Sequence, residues 1–356
     1  MANIQQSTNA YENWLRAELG GEIVDKDLDR KHEKMRDNPF AFLRATYWRW
    51  AETVLEICPD LAGAVQVLAV GDIHLENFGT WRDVDGRLVW GVNDFDEAAA
   101  MPFALDLVRL ATSALVPDKL RTVSVEDISA AILTGYRDGL TKPQPLVLDR
   151  DWAWLRALVV VSDKERAKFW KKIEAAPQEP APARYQKALM SAMPESSAGM
   201  TTARRVAGAG SLGRPRWAGR ADWRGGPVVR ETKALLVSSW YRAHSPKSTK
   251  IHCAEIASAR YRAPDPWYAV KDSIVVRRIS PNNRKIEADD EAFSELTADM
   301  LRAMGRELAN VHLGSADHAS TIMADLDRYK QGWLAANAKK MADATKRDYD
   351  DFRNRA

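Results

Sequence analysis

Between Gly71 and Ala98 the chain reads GDIHLENFGTWRDVDGRLVWGVNDFDEA, with acidic residues, two asparagines and a histidine set between short apolar runs. Asp72 and Asn77 stand in a D-x-x-x-x-N spacing, and Asp94 and Asp96 follow beyond a turn at Asp83 to Gly86. Phosphoryl transfer asks little covalent work of a protein. It needs one carboxylate near the acceptor hydroxyl, and an amide and a second carboxylate to hold magnesium against the phosphates. Asp72, Asn77 and Asp94 supply these groups. Magnesium takes oxygen ligands and keeps several waters, so Asn77 and Asp94 with nucleotide oxygens make a sufficient shell. Asp and Asn are also common turn residues, and Asp83 and Asp85 are read as solvent-facing turn positions on that ground. Asp96 is a further candidate metal ligand, although it and Glu97 serve equally as supporting groups. His74 has no second His or Cys at ligand spacing, which favours a loop histidine bonded to backbone over a zinc ligand.

A triphosphate also needs a cradle and a cation. Gly208-Ala-Gly210-Ser211-Leu-Gly213 is a G-x-G-x-x-G, a pattern followed directly by a helix in dinucleotide folds and by a hairpin in kinases. Pro215, Gly219, Gly225 and Gly226 forbid a long helix here. The next strand, VVRETKAL, carries Lys233, suitably placed for α- and β-phosphates, with Glu255 on a following helix or Glu231 as its partner. A surface lysine is the alternative. Gly208, Gly210, Ser211, Gly213, Lys233 and Glu255 form the candidate nucleotide-binding set.

The elements that position these residues follow from periodicity. Residues 38–56 predict one helix, capped by Asn38 with Pro39 at its first position and Phe42, Leu43, Thr46, Tyr47, Trp50 and Val54 at helical spacing. Residues 61–70 predict a strand that delivers the acidic motif. FGTW and RLVWGV then predict a hairpin, and 103–115 and 125–140 predict helices, the first with a polar edge of Asp106, Arg109 and Thr112. Proline and alanine at 175–186 mark a connection between lobes. Beyond it, VVRETKALLV and SIVVRRI predict strands, 249–261 a helix, and 291–312 a long amphipathic helix.

GDIHLENF followed by GRLVWGVNDFDEA resembles the catalytic loop and metal-binding strand of aminoglycoside phosphotransferases and other protein-kinase-like small-molecule kinases. The resemblance implies Asp72 as catalytic base, Asn77 as the magnesium amide and Asp94 as the magnesium aspartate. More closely, GDIHLENFG, NDFDEA, DLVRLATS, VAGAGSLG, RETKAL and VVRRISPNNRKIE resemble the bacterial domain-of-unknown-function family 2252, over nearly the whole chain. Val70 stands where a histidine usually precedes the catalytic aspartate by two residues. Ordinary kinases place the glycine loop and lysine strand before the catalytic loop, and here the order is reversed. The implied fold is therefore α+β, a two-lobed protein-kinase-like (aminoglycoside phosphotransferase-like) fold in circularly permuted order. Residues 1–199 would form a helical catalytic lobe, 200–285 a small sheet-rich nucleotide lobe, and 286–356 helices returning to the first lobe. The implied activity is ATP- and Mg2+-dependent transfer of phosphate to a hydroxyl of a small-molecule acceptor. AMP transfer on the same fold and nucleotide binding without turnover are the alternatives.

Composition bounds the partners. Lysine and arginine exceed acids by only three over 356 residues, so no bulk field favours nucleic acid. The 13 tryptophans show no regular interleaving with basic residues of the kind a single-strand groove uses. Arg36, Arg44, Arg49, Arg204 and Arg205 would either meet an anionic acceptor or lie on a solvated face, and Trp152, Trp154 and Trp170 would line an acceptor site or fill a core. Cys58 and Cys253 alone exclude a disulfide framework. No apolar run approaches the roughly 20 residues of a membrane span. A cytoplasmic protein without membrane or nucleic-acid partners is expected.

Overall fold

A computed structural model describes residues 2–117, 123–285 and 297–354 as a mixed α+β chain. Ile4–Leu19 (α1) opens on a capping box, with Asn3 and Gln6 exchanging side-chain and backbone hydrogen bonds, and Asp25–Asp37 (α2) follows. The helix expected over 38–56 is two helices, Pro39–Ala45 (α3) and Tyr47–Ile57 (α4). Asn38 caps the first by accepting the Ala41 N–H at 2.8 Å. Thr46 divides them: its backbone leaves helical space (φ −124°, ψ 39°) while its hydroxyl donates to the Phe42 carbonyl at 2.7 Å. The same hydroxyl-to-carbonyl bond at Thr8 and Thr53 leaves a helix unbroken, so the division lies in the Thr46 backbone itself.

Gln66–Ala69 (β1) delivers the acidic motif. Phe78–Arg82 (β2) and Leu88–Val92 (β3) pair antiparallel from Phe78↔Val92 to Arg82↔Leu88. Ala99–Pro102 (β4) pairs back onto β1. The turn of the hairpin is where expected, but Asp83 is buried rather than solvent-facing. Its carboxylate folds back to accept the N–H groups of Asp85 and Arg87 and to pair with the Arg87 side chain.

Phe103–Leu115 (α5) and Val125–Thr141 (α6) follow as expected, and Leu146–Val147 (β5) adds to the edge of β3. Ala153–Leu158 (α7) and Asp163–Glu174 (α8) lead into the Pro/Ala-rich connection, which contains a further helix, Ala183–Ala192 (α9), with Tyr185 and Leu189 fully buried. Ala198–Arg204 (β6), Arg216–Trp223 (β7), Gly226–Ala234 (β8), Ala269–Lys271 (β9) and Ile274–Ile279 (β10) form an antiparallel sheet in the order β6-β7-β8-β10-β9. α9 packs on this sheet, and Leu189 lies so close to β7 that a Cβ on Gly219 would stand 3.2 Å from it.

Ser239–His244 (α10) and Cys253–Ala257 (α11) follow β8. The helix expected over 249–261 is thus confined to five residues. Beyond Ala257 the chain turns so that Arg260 N–H bonds the Gly314 carbonyl and Arg262 reaches Glu307 and the Val92 carbonyl. Ala298–His312 (α12) realises the long amphipathic helix, whose expected start at 291–296 lies outside the described residues. Ala319–Arg328 (α13) and Trp333–Asn354 (α14) complete the chain.

The larger core gathers α4, α5, α6, α12 and α14 around β1 and the β2–β3 hairpin. α6 and α12 cross backbone to backbone, since a Cβ on Gly135 would fall 1.9 Å from the Arg302 carbonyl oxygen and one on Gly305 2.2 Å from that of Ile132. A second core lies under the five-stranded sheet. It combines Trp217, Ala234 and Val276 with Leu15 and Leu28 of the N-terminal helices and Phe352 of α14. Among the described residues no helix is long and apolar enough to cross a membrane.

Candidate active site

The loop after β1 is pinned from α5 and α12. Gly71 adopts φ +79°, with its α-carbon so near Glu97 that a Cβ would lie 2.4 Å from the Glu97 carbonyl oxygen. The Asp106 carboxylate accepts the Val70 N–H at 2.7 Å and the Gly71 N–H at 3.0 Å. His312, at the end of α12, lies 3.1 Å from Asp106 Oδ2 and 2.7 Å from the Tyr136 hydroxyl. This buried chain holds the loop at the point where the resemblance expects a histidine and the sequence has Val70.

Asp72 projects from that loop against Arg109, one turn beyond Asp106 on α5. The Arg109 guanidinium pairs with Asp72 Oδ1 and donates to the Leu43 carbonyl, beneath the rings of Tyr47 and Trp50. Burial pushes the Asp72 carboxyl up to about 7, with Arg109 opposing and Glu97 and Asp94 adding to the rise. Asn77 Nδ2 donates to the Asp72 carbonyl at 2.6 Å, leaving Oδ1 without a protein partner among the described residues. The Asn93 N–H donates to the Asn77 carbonyl at 3.0 Å, which fixes the Asn77 end of the hairpin beside Asp94. His74 Nδ1 accepts the Glu76 N–H, as a loop histidine does.

Lys233, buried on β8, places its ammonium 2.5 Å from Asp96 Oδ2 and 3.3 Å from Asp94 Oδ1, across 139 residues of chain from Asp94. Burial opposes ionisation of both carboxyls. Lys233, Arg277 and Lys285 hold Asp94 well below the usual carboxylate range, while the Asp94 charge adds to burial in raising Asp96. Glu97 spans the junction: its carboxylate meets Arg214 at 2.9 Å and accepts the Ser239 N–H at 2.6 Å.

Glu255 does not pair with Lys233. It lies on the exposed side of α11 against His252, at 2.8 Å, while Cys253 and Ile256 take the buried face of that helix. Glu231 is not the partner either; it is enclosed by Arg205, Arg216 and Arg277.

The glycine loop connects β6 to β7 and lies directly over Asp72. A Cβ on Gly210 would stand 3.2 Å from Asp72 Oδ2 and 3.1 Å from the Arg44 carbonyl oxygen. Buried Lys31 of α2 donates to the Gly210 carbonyl at 2.9 Å beneath the rings of Tyr11 and Trp48. Gly213 turns away from the acidic groups toward Leu28. A cavity of about 60 Å³ is bounded by Asp72, Asn77, Asp94, Asp96, Gly208, Gly210 and Ser211, and Lys233, expected in it, stands behind Asp94 and Asp96 and not in its wall. Beside it, sharing Asp94, Gly208 and Lys285, opens a cleft of about 690 Å³ whose walls include Arg44 and Arg205.

Of the other basic candidates, Arg49 pairs with Asp348, Arg204 with Asp27, and Arg36 lies over the Phe352 ring. Trp152 and Trp154 pack against the larger core, and neither they nor Trp170 enter the walls of the cavity or cleft. Arg109, Asp106, Arg214, Lys31 and His312 went unassigned by sequence. Asp106 and Arg109 left a trace as the polar edge of an otherwise apolar helix.

Among the described residues no cluster of three or more His, Cys, Asp or Glu forms a metal site by itself. The oxygens that fit magnesium are the unpartnered Oδ1 of Asn77 and the ionised Asp94, a set that water and phosphate oxygens must complete. No curated protein and no solved structure matches the chain. A family model matches residues 24–200 and 197–355, which together cover nearly its whole length. The chain belongs to DUF2252, a family described as uncharacterized protein conserved in bacteria.

Proposed function

We propose that this protein is an ATP- and Mg2+-dependent phosphotransferase acting on a hydroxyl of a small molecule, on a kinase-like arrangement whose parts occur in circularly permuted order. The observation that carries the reading is the meeting of four remote segments: Asp72, Asn77 and Asp94 line one cavity with the glycine loop, and Lys233, buried behind its wall, reaches Asp94 and Asp96. Neither half alone assembles a base, an amide and carboxylate pair, a lysine and a phosphate cradle.

Asp72 takes the proton of the acceptor hydroxyl as its oxygen forms the new bond to phosphorus and the bond from phosphorus to the departing ADP oxygen breaks. Arg109 holds the Asp72 carboxylate in place. Magnesium, bound by Asn77 and Asp94, would neutralise charge on the phosphates. Lys233 keeps Asp94 ionised and supplies a cation beside the α- and β-phosphates, and the amides of the glycine loop cover them. AMP transfer would use the same residues, and the mass of the product separates the two.

A metabolite screen for Mg2+-dependent ATP consumption by the full chain tests the proposal. Asp72→Asn should lower turnover by about 10²-fold or more while leaving ATP affinity nearly intact, because a base acts chiefly in the transition state. Lys233→Ala should weaken ATP binding itself. Equal loss of affinity in both variants, or wild-type protein that binds no ATP, counts against these roles.

A further inference from the structure

The cleft face of the five-stranded sheet carries more positive charge than its own residues neutralise. Glu231 on β8, 1% exposed, accepts from Arg216 Nη1 at 2.8 Å and Arg277 Nε at 2.9 Å, and Arg205 Nε lies 2.8 Å from its other oxygen. One carboxylate thus faces three guanidinium groups. Arg216 is 4% exposed, but Arg205 and Arg277 are 23% and 24% exposed and stand in the wall of the 690 Å³ cleft. The terminal nitrogens of Arg205 have no protein partner among the described residues.

Cross-strand register makes the cluster a built feature. Arg277 is paired with Glu231 across β10–β8, and Arg216 is paired with Lys233 across β7–β8. Side chains two residues apart on a strand share a face, so Glu231 and Lys233 point to the same side. The opposite face contributes Trp217, Ala234 and Val276 to the second core. Buried charge is stable when paired, and a surplus of cations facing a cleft is completed by an anionic ligand. Arginine forks suit phosphate because they offer parallel donors.

We propose that Arg205 and Arg277, backed by Arg216 and Glu231, form an anion subsite in the larger cleft that holds the β-phosphate of a nucleoside polyphosphate, which is not transferred, and leaves the terminal phosphate to Asp94. The assignment rests on the nucleotide-dependent reading above and adds a second anchoring point to it. Lys233 is already engaged by Asp94 and Asp96, whereas the arginine cluster has donors to spare. Burial and the neighbouring Arg216 and Arg277 charges push the Arg205 guanidinium below its ordinary range, as expected for a cation whose counter-charge is incomplete. The subsite also separates ligands by tail length: a monophosphate cannot span from Asp94 to the cluster as a triphosphate can.

Calorimetric titration of the full chain with ATP, AMP and inorganic tripolyphosphate, each with Mg2+, tests this. Arg205→Gln should weaken ATP and tripolyphosphate by about tenfold or more and leave AMP unchanged. Arg205→Lys, which keeps charge without the fork, should fall between, and it carries the test if the glutamine variant does not fold. ATP and AMP weakened alike, or neither weakened, overturns the subsite. Binding of tripolyphosphate that depends on Arg205 without binding of ATP would leave the subsite standing and sink the nucleotide reading. Mg2+-dependent ATP turnover indifferent to Arg205 would do the reverse.

Discussion

Asp72 sits between two opposing influences. Burial and the nearby charges of Glu97 and Asp94 favour its neutral form, and the Arg109 guanidinium favours the carboxylate, with a balance near 7. If Asp72 is the proposed base it works when ionised, so kcat/KM should fall as pH drops below about 7. Arg109→Met removes the only influence of these that favours charge. Its acid limb should therefore move to higher pH by roughly one pH unit or more. A merely structural role for Arg109 would lower the thermal midpoint without moving that limb, and an unmoved limb in a pH profile would sink the assignment. Asp72, Asn77 and Asp94 were legible because residue type, spacing and strand ends coincide. Arg109 was visible only as a polar interruption of an apolar helix, since nothing in a helical period says which loop the polar edge will meet. Glu255 misled for a related reason: a cross-element ion pair depends on which face a helix buries, and α11 buries Cys253 and Ile256.

At the level of elements, alternation and caps located β2, β3, β8, β10, α5 and α6, because each has one apolar face or a marked end. The divided helix at Thr46 and the shortened α11 were not legible. The first is a local departure of the Thr46 backbone that no periodicity marks, and the second depends on tertiary bonds made by Arg260 and Arg262. Glycines show how a site element differs from a packing element. Gly210→Ala would put a Cβ 3.2 Å from Asp72 Oδ2 and 3.1 Å from the Arg44 carbonyl, contacts that a shift of a few tenths of an ångström relieves. Gly135→Ala would put one 1.9 Å from the Arg302 carbonyl, between two helices that cannot part locally. The first variant should lose turnover with its thermal midpoint nearly unchanged. The second should lose about 1–3 kcal/mol of stability or more. Paired measurements of midpoint and turnover check this, and parallel losses in the two variants would mean that the glycine loop is a packing element too.

Across the whole molecule, the sequence offered two sets of candidate phosphate-handling residues but not the distance between them; only packing brings Lys233 onto Asp94 and Gly210 over Asp72. The N-terminal helices take part in both cores' meeting. Lys31 holds the glycine loop through the Gly210 carbonyl, and Val24 donates to the Gly213 carbonyl at 3.0 Å, so the first segment of the chain closes the site formed by later ones. If the site depends on this packing and not on chain order, reordering the chain should preserve it. The ends permit the experiment, because Arg49 binds both the Ala2 carbonyl, at 3.0 Å, and the Asp348 carboxylate, at 2.7 Å. A flexible linker of about 10 residues has a root-mean-square span of roughly 16–19 Å, enough to join them past the last turn of α14. Opening the chain between exposed Glu195 and Ser196, before β6, then puts the glycine loop and Lys233 ahead of Asp72, the order of ordinary kinases. Surface loops with few crossing contacts tolerate such cuts. The permuted chain should bind Mg-ATP within about threefold of the natural order, since each 1.4 kcal/mol is tenfold and no packed element is altered. A permutant that folds, by circular dichroism and a cooperative thermal transition, yet has lost nucleotide binding would show that the order of the segments, and not only their packing, builds the site.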